Sequence, residues 1–326
     1  MTERLVIIGS GLAAWTAALY AARADLTPIV FEGAICEANQ IAATLPYGQL
    51  MYADSVDDFP GFPEGILGQE LVLRARDQAM RFGARAVTED VVELALAARP
   101  FHVLDSSGAR HQARALIVAT GARRRPWQFG FVNFGVSLDS VSDCALPRMR
   151  DRPVAIIGGG DQAMTTALHM TRFASIVYVI HRGAQFRAKR MYVQHATRHP
   201  KVRLLLDRNV VGVEGDETNG VTGLRLRHAA DEHDSCERLP VSGIFPCTGY
   251  VPNTEFLGGQ LTLNPAGYVQ LAGPPTSATS VPGVFAAGEV ADPLYRQAVT
   301  AAASGCQAAL DVQRWLEHET RGVGAG

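Results

Sequence analysis

The feature that most constrains this chain is a glycine-rich pattern that occurs twice, 149 residues apart. Each copy follows a short apolar run, R-L-V-I-I at 4–8 and P-V-A-I-I at 153–157, and precedes a run of helix-forming residues. A strand, a glycine-rich turn and a helix in this order bind the phosphates of a dinucleotide, because the helix N-terminus attracts the anion. The sequence therefore predicts two nucleotide-binding domains built on one plan.

The first copy, G-S-G-L-A-A, has every part of the dinucleotide-binding pattern. Gly9 permits the tight turn, Gly11 lets the backbone approach a pyrophosphate, and Ala14 allows the helix to pack closely on the strand. A second strand, P-I-V-F-E, ends at an acid that is placed to accept a hydrogen bond from a ribose hydroxyl. We predict a dinucleotide site at Gly9, Ser10, Gly11, Ala13, Ala14 and Glu32.

The second copy, G-G-G-D-Q-A, supplies Gly158, Gly160 and Ala163, and its second strand, I-V-Y-V-I, ends without an acid. Basic residues follow that strand instead, where the 2′-phosphate of NADP would lie. The alternative is a solvated basic loop with no ligand. We predict that this site prefers NADP to NAD through His181, Arg182 and Arg187.

The chain of 326 residues is long enough for two domains. Each glycine-rich pattern is followed by alternating segments that predict antiparallel ribbons, V-T-E-D-V-V-E-L with F-H-V-L-D-S-S-G, and V-R-L-L-L-D-R-N-V-V-G-V with G-L-R-L-R-H. The 77 residues after Gly249 are too few for a third such domain. The sequence predicts an α/β fold of two Rossmann-like three-layer (ββα) domains, with the second domain inserted into the first.

Composition and spacing exclude several other classes of protein. The net charge of −2 provides no field that favours nucleic acid or an anionic membrane. No apolar run reaches the roughly 18 residues needed to span a bilayer, and the N-terminus lacks the pattern of a signal peptide, so we expect a cytoplasmic location. The five cysteines form no C-x-x-C, the histidines show no metal-binding spacing, and no G-x-S-x-G context indicates a hydrolase.

Together these residues resemble the low-molecular-weight thioredoxin reductase family of FAD proteins over nearly the whole chain. The resemblance implies that the first pattern binds FAD in a domain of residues 1–118 and 249–326. It implies an NAD(P)H-binding-like domain at 119–248, and a homodimer. The matching motifs are G-S-G-L-A-A, G-Q-L at 48–50, D-F-P-G-F-P at 58–63, A-T-G-A at 119–122, I-G-G-G-D-Q-A, I-H-R-x-x-x-x-R at 180–187, G-V-F-A-A-G-E-V and Y-R-Q-A.

The resemblance also implies further flavin-binding residues. The turn Gly288-Glu289 meets the ribityl–phosphate region of the flavin, although the family usually has the shorter Asp in place of this Glu. The run Arg296-Gln297-Ala298 faces the isoalloxazine ring. The segment 34–47 is longer than in the family and is expected to shape the pocket. The other implied residues are Gly48, Gln49, Leu50, Asp58, Ala119, Thr120 and Gly121.

The stretch D-S-V-S-D at 139–143 lies where the family carries its redox-active C-x-x-C-D. Asp and Ser cannot form a disulfide, so we do not expect this chain to reduce thioredoxin by the family mechanism. We interpret Asp139, Ser142 and Asp143 as candidate catalytic residues, with a protonated carboxyl acting as a general acid beside the flavin. The alternative is that Asp139 and Ser142 only cap the following helix. Cys144 has no partner for a dithiol.

Three hypotheses for the function remain. The first is an FAD-dependent oxidoreductase that moves electrons from NADPH to a small molecule, dioxygen or a redox protein. The second is an FAD oxidase or dehydrogenase of a small metabolite with a vestigial NADPH site; the family's Glu-Glu is Thr165-Thr166 here, and Gly183 replaces an arginine. The third is a non-enzymatic flavin- or nucleotide-sensing protein.

Overall fold

The computed structural model describes residues 2–42, 44–53, 55–125, 127–129, 149–216, 218–229, 236–273 and 276–322. The chain divides into two compact units, Met1–Arg123 with Tyr250–Gly326, and Arg124–Gly249. The candidate catalytic residues Asp139, Ser142 and Asp143, and also Cys144, lie outside the described residues. Among the described helices, none combines the length and the apolar character that a membrane span requires.

The described elements follow the predicted order of strands and helices. The helices are α1 (Leu12–Arg23), α2 (Glu37–Ala42), α3 (Gly68–Arg81), α4 (Asp161–Met170), α5 (Arg190–Arg198) and α6 (Ala298–Gly322). The strands are β1 (Thr2–Ile8), β2 (Ile29–Phe31), β3 (Arg85–Val87), β4 (Val91–Ala95), β5 (Phe101–Asp105), β6 (Arg110–Val118), β7 (Ala122–Arg124), β8 (Pro153–Ile157), β9 (Ile176–Ile180), β10 (Val202–Leu205), β11 (Arg208–Asp216), β12 (Gly220–His228), β13 (Glu237–Leu239), β14 (Gly243–Pro246), β15 (Tyr250–Pro252) and β16 (Val284–Ala286).

The first unit is built on one sheet in the order β3-β2-β1-β6-β5-β4, with β16 also paired to β6. Strands β1, β2, β3, β6 and β16 pair in parallel, whereas β4 and β5 form an antiparallel ribbon at the β6 edge. Helices α1, α3 and α6 cover one face of the sheet with a core that includes Trp15, Val72 and Val312. A second core, with Phe31, Phe101 and Leu257, lies on the opposite face.

The second unit repeats this plan with a four-stranded parallel sheet in the order β10-β9-β8-β14. Helices α4 and α5 pack on one face of that sheet around Met164, Val177 and Ala196. The antiparallel strands β11, β12 and β13 pack on the other face around Leu224 and Ile244. The predicted fold class of two Rossmann-like three-layer units is therefore confirmed.

The two glycine-rich turns have the same steric requirement in both units. Gly9 adopts a φ of +111°, and a Cβ atom there would lie 2.3 Å from the carbonyl oxygen of Ala119. Gly158 adopts a φ of +153°, and a Cβ atom there would lie 2.2 Å from the carbonyl oxygen of Cys247. In each unit, only glycine lets the turn approach the chain that leaves the neighbouring strand, because any side chain would collide with backbone.

One predicted ribbon is wrong in part. The run V-R-L-L-L-D-R-N-V-V-G-V was predicted to lie in a single antiparallel ribbon, but Val202–Leu205 pairs in parallel with β9. The chain turns at Asp207, whose φ of +52° is left-handed and interrupts the extended backbone. Only the part after this turn, Arg208–Asp216, forms the predicted antiparallel ribbon, and it does so with Gly220–His228.

Candidate dinucleotide-binding sites

A cavity of about 460 Å³ opens in the first unit at the carboxyl ends of β1 and β2. This volume lies within the range of small-molecule and cofactor sites, which are commonly about 300–1,000 Å³. Residues that are distant in sequence meet there, because β16 brings the 288–298 region beside β6. The predicted residues that line it are Gly9, Ser10, Gly11, Ala13, Glu32, Gly48, Gln49, Leu50, Ala119, Thr120, Gly121, Gly288, Glu289, Arg296, Gln297 and Ala298.

The first glycine-rich turn is open at the position where a pyrophosphate would approach. A Cβ atom on Gly11 would meet no atom within 4 Å, so the backbone here faces free space. The neighbouring Ser10 hydroxyl donates a 2.6 Å hydrogen bond to the Glu32 carbonyl and accepts one of 2.8 Å from the Tyr47 amide. Ser10 therefore fixes the turn, the end of β2 and the segment at Tyr47 relative to one another.

Glu32 places a buried carboxylate at the end of β2, with a side chain that is 2% exposed. Arg76 Nε donates a 2.6 Å hydrogen bond to Glu32 Oε1, whereas Arg76 Nη2 lies 3.5 Å from Oε2. This hydrogen bond raises the pKa of Arg76. The arginine lies on α3 and stacks over the Trp15 ring, with 5.5 Å between the guanidinium carbon and the ring centroid. Glu32, the acid predicted to bind a ribose, is thus held by Arg76 of α3.

The A-T-G-A turn is braced across the cavity by Asn253. Its side chain donates a 2.8 Å hydrogen bond to the Thr120 carbonyl, and the Thr120 hydroxyl donates one of 2.8 Å to the Asn253 carbonyl. Arg123 joins this brace through 2.8 Å and 2.5 Å contacts to Asn253 and Glu255. Arg123 therefore supports a wall of the cavity.

At the other end of the lining, Glu289 and Arg296 form an ion pair. The Arg296 guanidinium carbon also lies 3.8 Å from the centroid of the Tyr250 ring. Burial raises the pKa of Glu289, while the charge and hydrogen bond of Arg296 oppose that shift. Asp292 accepts hydrogen bonds of 2.8–3.0 Å from the amides of the three residues 294–296, so the backbone around Arg296 is held in place.

The segment 34–47 does line the cavity, and a residue from outside it holds its first half. Asp90 accepts hydrogen bonds from the Ala34 amide at 3.0 Å and from Asn39 Nδ2 at 2.8 Å. The Thr44 hydroxyl in turn donates a 3.1 Å hydrogen bond to Asn39 Oδ1. These contacts fold the segment against the loop before β4, beside Glu32 and Gly33.

Two predicted residues do not line the cavity, and several unpredicted ones do. Asp58 is exposed in a surface turn, and Ala14 is fully buried where α1 packs on the sheet. The sequence signals for the missed residues are weak, since Asp and Asn in turns bind neighbouring backbone in many proteins. Asn39, Thr44 and Tyr47 belong to the predicted segment 34–47, and the missed lining residues with hydrogen bonds described above are Asp90, Arg123, Asn253, Glu255 and Asp292.

The second unit has a comparable open turn. A Cβ atom on Gly160 would meet nothing within 4 Å. The Gly159 carbonyl accepts hydrogen bonds from the amides of Arg187 at 2.7 Å and Ala188 at 3.0 Å. Asp161, the first residue of α4, accepts one of 2.7 Å from the Lys189 amide. The loop that carries the predicted phosphate-binding arginines is therefore fastened directly to the glycine-rich turn.

The predicted 2′-phosphate residues differ in exposure. Arg182 and Arg187 are exposed, and within the described part of the chain no ion pair involves either of them. His181 is only 8% exposed, and its ring stacks on Phe186 with 5.6 Å between centroids. Burial lowers the pKa of His181, and the charges of Arg187 and Arg182 lower it further. The arginines thus offer charge to an anion, whereas the histidine packs as a neutral ring.

Beneath this turn lies a buried thiol. Cys247 Sγ lies 3.8 Å from the hydroxyl of Thr166, and both side chains are buried. Burial raises the pKa of Cys247 to about 11, although the Thr166 hydrogen bond opposes the shift. Thr166 therefore faces the core. The Thr165 hydroxyl instead donates hydrogen bonds of 3.1 Å to the carbonyls of Asp161 and Gln162 in its own helix. Neither threonine contributes a charge where the family has two acids.

Comparison with known proteins gives a consistent family. The model of the pyridine nucleotide-disulphide oxidoreductase family matches residues 3–305. The mitochondrial thioredoxin reductase 1 of Arabidopsis thaliana is 46% identical over 96% of this chain and 84% of its own length. The thioredoxin reductase of Chlamydia pneumoniae is 41% identical over 96% and 99%. The solved thioredoxin reductase of Giardia duodenalis superposes with a TM-score of 0.71 at 34% identity, covering 96% of this chain and 98% of that one.

Proposed function

The chain belongs to the pyridine nucleotide-disulphide oxidoreductase family and is an FAD-dependent oxidoreductase of the thioredoxin reductase type, and we propose that it passes electrons from NADPH to an acceptor other than a disulfide of its own. The acceptor is proposed to be a small molecule, dioxygen or a redox protein. The relatives' names indicate thioredoxin as a partner, so this proposal departs from them in the last electron-transfer step.

The observation that carries the proposal is the spacing of the cysteines, at 36, 144, 236, 247 and 306. No two are three residues apart, so a C-x-x-C dithiol cannot form anywhere in the printed chain. Among the described residues, Cys36, Cys247 and Cys306 are free thiols. A disulfide reductase needs two sulfurs within bridging distance, because the intermediate is a disulfide between them.

The first unit has the features that FAD binding requires, which supports its assignment as the FAD domain. Gly11 leaves room for the pyrophosphate, and Glu32 lines the cavity with a carboxylate that can accept ribose hydroxyls. Arg296 and Glu289 supply fixed charges at the proposed flavin end. The bound flavin would supply the redox chemistry, and the chain orients it and excludes water. We retain the proposed bounds of 1–118 and 249–326 for this domain, and 119–248 for the NAD(P)H domain.

The second unit supports NADPH as the electron donor. Arg182 and Arg187 are exposed beside the open Gly160 turn, and guanidinium groups bind phosphate well. A second candidate function, an FAD oxidase or dehydrogenase with a vestigial NADPH site, is favoured by Thr166, which is buried against Cys247 instead of facing a ligand. The two functions differ in whether NADPH reduces the flavin.

Anaerobic mixing of the purified protein with NADPH, and separately with NADH, distinguishes the two functions. We expect the protein to purify with one FAD per chain and its flavin absorbance to bleach rapidly with NADPH. A parallel assay with thioredoxin and a chromogenic disulfide is expected to show no turnover. Bleaching by neither nucleotide would favour the oxidase or dehydrogenase, and turnover of thioredoxin would refute the proposed acceptor. The homodimer and the cytoplasmic location remain predictions.

A further inference from the structure

The contact between Glu32 and Arg76 is asymmetric in a way that suggests a role. Glu32 lines the cavity, whereas Arg76 does not and approaches the carboxylate from α3. Arg76 Nε lies 2.6 Å from Oε1, but the nearest arginine nitrogen to Oε2 is Nη2 at 3.5 Å. One carboxylate oxygen is therefore firmly bonded to the arginine, and the other has only a long contact. A short hydrogen bond to the cavity ligand would complete the coordination of Oε2.

The buried Glu32 carboxylate needs a cation to offset the free energy lost when it leaves water. Its side chain is 2% exposed, and a buried carboxylate without a partner is strongly disfavoured. The backbone of Glu32 is already fixed by hydrogen bonds of 2.9 Å to Val87 and 2.6 Å from Ser10. The side-chain rotamer is what remains to be set, and Arg76 is the cation that contacts it.

Arg76 is itself held in place. Its guanidinium stacks over Trp15, a fully buried residue of α1, and its side chain is 26% exposed. A cation over an aromatic face is attracted by the ring, and the flat guanidinium keeps a defined plane there. The side-chain contacts from Trp15 to Arg76 and from Arg76 to Glu32 thus connect α1 and α3 to the edge of the cavity.

We propose that Arg76 is a positioning residue for the adenosine half of FAD: it fixes the Glu32 carboxylate so that Oε2 accepts the hydrogen bond of the ribose 2′-hydroxyl. This inference rests on the proposed function, since it takes FAD as the ligand of the cavity. Arg76 acts through Glu32 and does not touch the nucleotide. The competing interpretation is that the ion pair only fastens α3 to β2, in which case its loss lowers stability without changing ligand discrimination.

The test measures discrimination at a single hydroxyl. Flavin-free protein is titrated with FAD and with an FAD analogue whose adenosine lacks the ribose 2′-hydroxyl, and the two dissociation constants are compared. The variants are Arg76→Met, Glu32→Gln and the double variant. Arg74→Met is the matched control, because Arg74 lies on the same helix, pairs with the exposed Glu70 at 2.6 Å and lies over the Phe62 ring, away from Glu32. The melting temperature of each flavin-free variant is measured alongside.

We expect the wild type and Arg74→Met to prefer FAD over the analogue by about tenfold or more, as a hydrogen bond to a charged acceptor provides. In Arg76→Met this preference falls to about threefold or less, and the double variant matches Glu32→Gln because Arg76 acts only through that carboxylate. If Arg76→Met does not fold, Arg76→Gln, which is shorter but keeps an N–H donor without the charge, is titrated instead.

An unchanged preference in the Arg76 variant, with only a lower melting temperature, would overturn the inference and leave an ordinary structural ion pair. A further loss from Arg76→Met in the Glu32→Gln background would also overturn it, because the arginine would then act by another route. If the wild type binds neither ligand, the proposed function itself fails. That outcome differs from one in which the wild type binds FAD and Arg76→Met keeps the same preference for FAD over the analogue, which refutes only the role of Arg76.

Discussion

Replacing Arg187 by alanine tests the proposed NADPH site most directly. The backbone of Arg187 is fixed by its 2.7 Å hydrogen bond to the Gly159 carbonyl, so truncating the side chain leaves the loop attached to the glycine-rich turn. The guanidinium is exposed, and within the described residues it has no carboxylate partner that the substitution would strand. The variant should therefore fold as the wild type does and lose only a charge beside the open Gly160 turn.

The magnitude follows from this exposure. A hydrogen bond between charged groups contributes about 1.5–3 kcal/mol to binding. Water and salt reach Arg187, so we take the lower limit, about 1.5 kcal/mol, which is roughly a tenfold change in affinity. The exposed Arg182 would still offer its charge to the phosphate, so we do not expect a complete loss. NADH has no 2′-phosphate, so its affinity should stay within about twofold of the wild-type value.

The assay is anaerobic flavin reduction at a series of NADPH and NADH concentrations, which gives the ratio of the two apparent dissociation constants. The ratio should shrink about tenfold in Arg187→Ala, and by less at high ionic strength. Arg198→Ala is the matched control, because this exposed arginine lies in the last turn of α5, away from the glycine-rich turn. An unchanged ratio in Arg187→Ala, or an equal change in Arg198→Ala, would refute the placement of the phosphate at Arg187.

Three further predictions concern other parts of the chain. Burial raises the pKa of Asp105, but hydrogen bonds from Ser107, His111 and the Ala109 amide outweigh it and lower the pKa to about 2. A carboxyl with a depressed pKa stabilises the fold above its ordinary pKa and loses that contribution as the pH falls from about 4 to about 2. The side chain is 3% exposed, but the residues of the turn that covers it are exposed to water, which weakens the interaction. Asp105→Asn should therefore lower the free energy of unfolding at pH 7 by about 1–2 kcal/mol and make that free energy less dependent on acid pH. Equal unfolding free energies for both proteins in denaturant titrations across this pH range would contradict the prediction. The buried Cys247 thiol, with its pKa of about 11, should resist alkylation at pH 8 while the exposed Cys36 reacts, as mass spectrometry of the labelled protein would show. Asp139→Asn and Ser142→Ala should slow reoxidation of the flavin by its acceptor at unchanged FAD content, whereas a loss of about 1 kcal/mol of stability at a normal rate would indicate helix caps only.

The sequence predicts the fold well because the plan depends on local geometry. At Gly9 and Gly158 the backbone must take a positive φ and lie close to the backbone that follows a neighbouring strand, at Ala119 and at Cys247. Only glycine fits there, so the glycines in the sequence indicate the turns directly. The strands P-V-A-I-I and I-V-Y-V-I are apolar throughout because helices and a ribbon cover both faces of their sheet. The break at Asp207 was missed because a non-glycine residue in a left-handed conformation has no reliable sequence signal.

The site is only partly predictable for a different reason. Motif residues such as Gly11 and Glu32 line the cavity, and their spacing identifies them because any dinucleotide imposes the same requirements on the turn and the acid. Asp90 and Asn253 reach the cavity through tertiary packing, from a loop before β4 and a turn after β15, and Arg76 of α3 contacts the cavity residue Glu32 from outside the lining. Side chains of this kind follow no fixed offset from the glycine-rich turn. Their partners appear only when the distant segments are brought together.

The order of elements along the chain has a consequence for biosynthesis. The first unit is split, with β16 and α6 following the whole of the second unit in sequence. Since β16 pairs with β6, and Gly288, Arg296 and Ala298 line the cavity, the nascent first unit emerges from the ribosome with an exposed sheet edge and without part of the cavity lining. The continuous second unit can fold while the edge of β6 is still unpaired, before β16 has been synthesised. Flavin acquisition should therefore be a late event in the maturation of this protein, and the unpaired edge of β6 is the part that a molecular chaperone would need to shield.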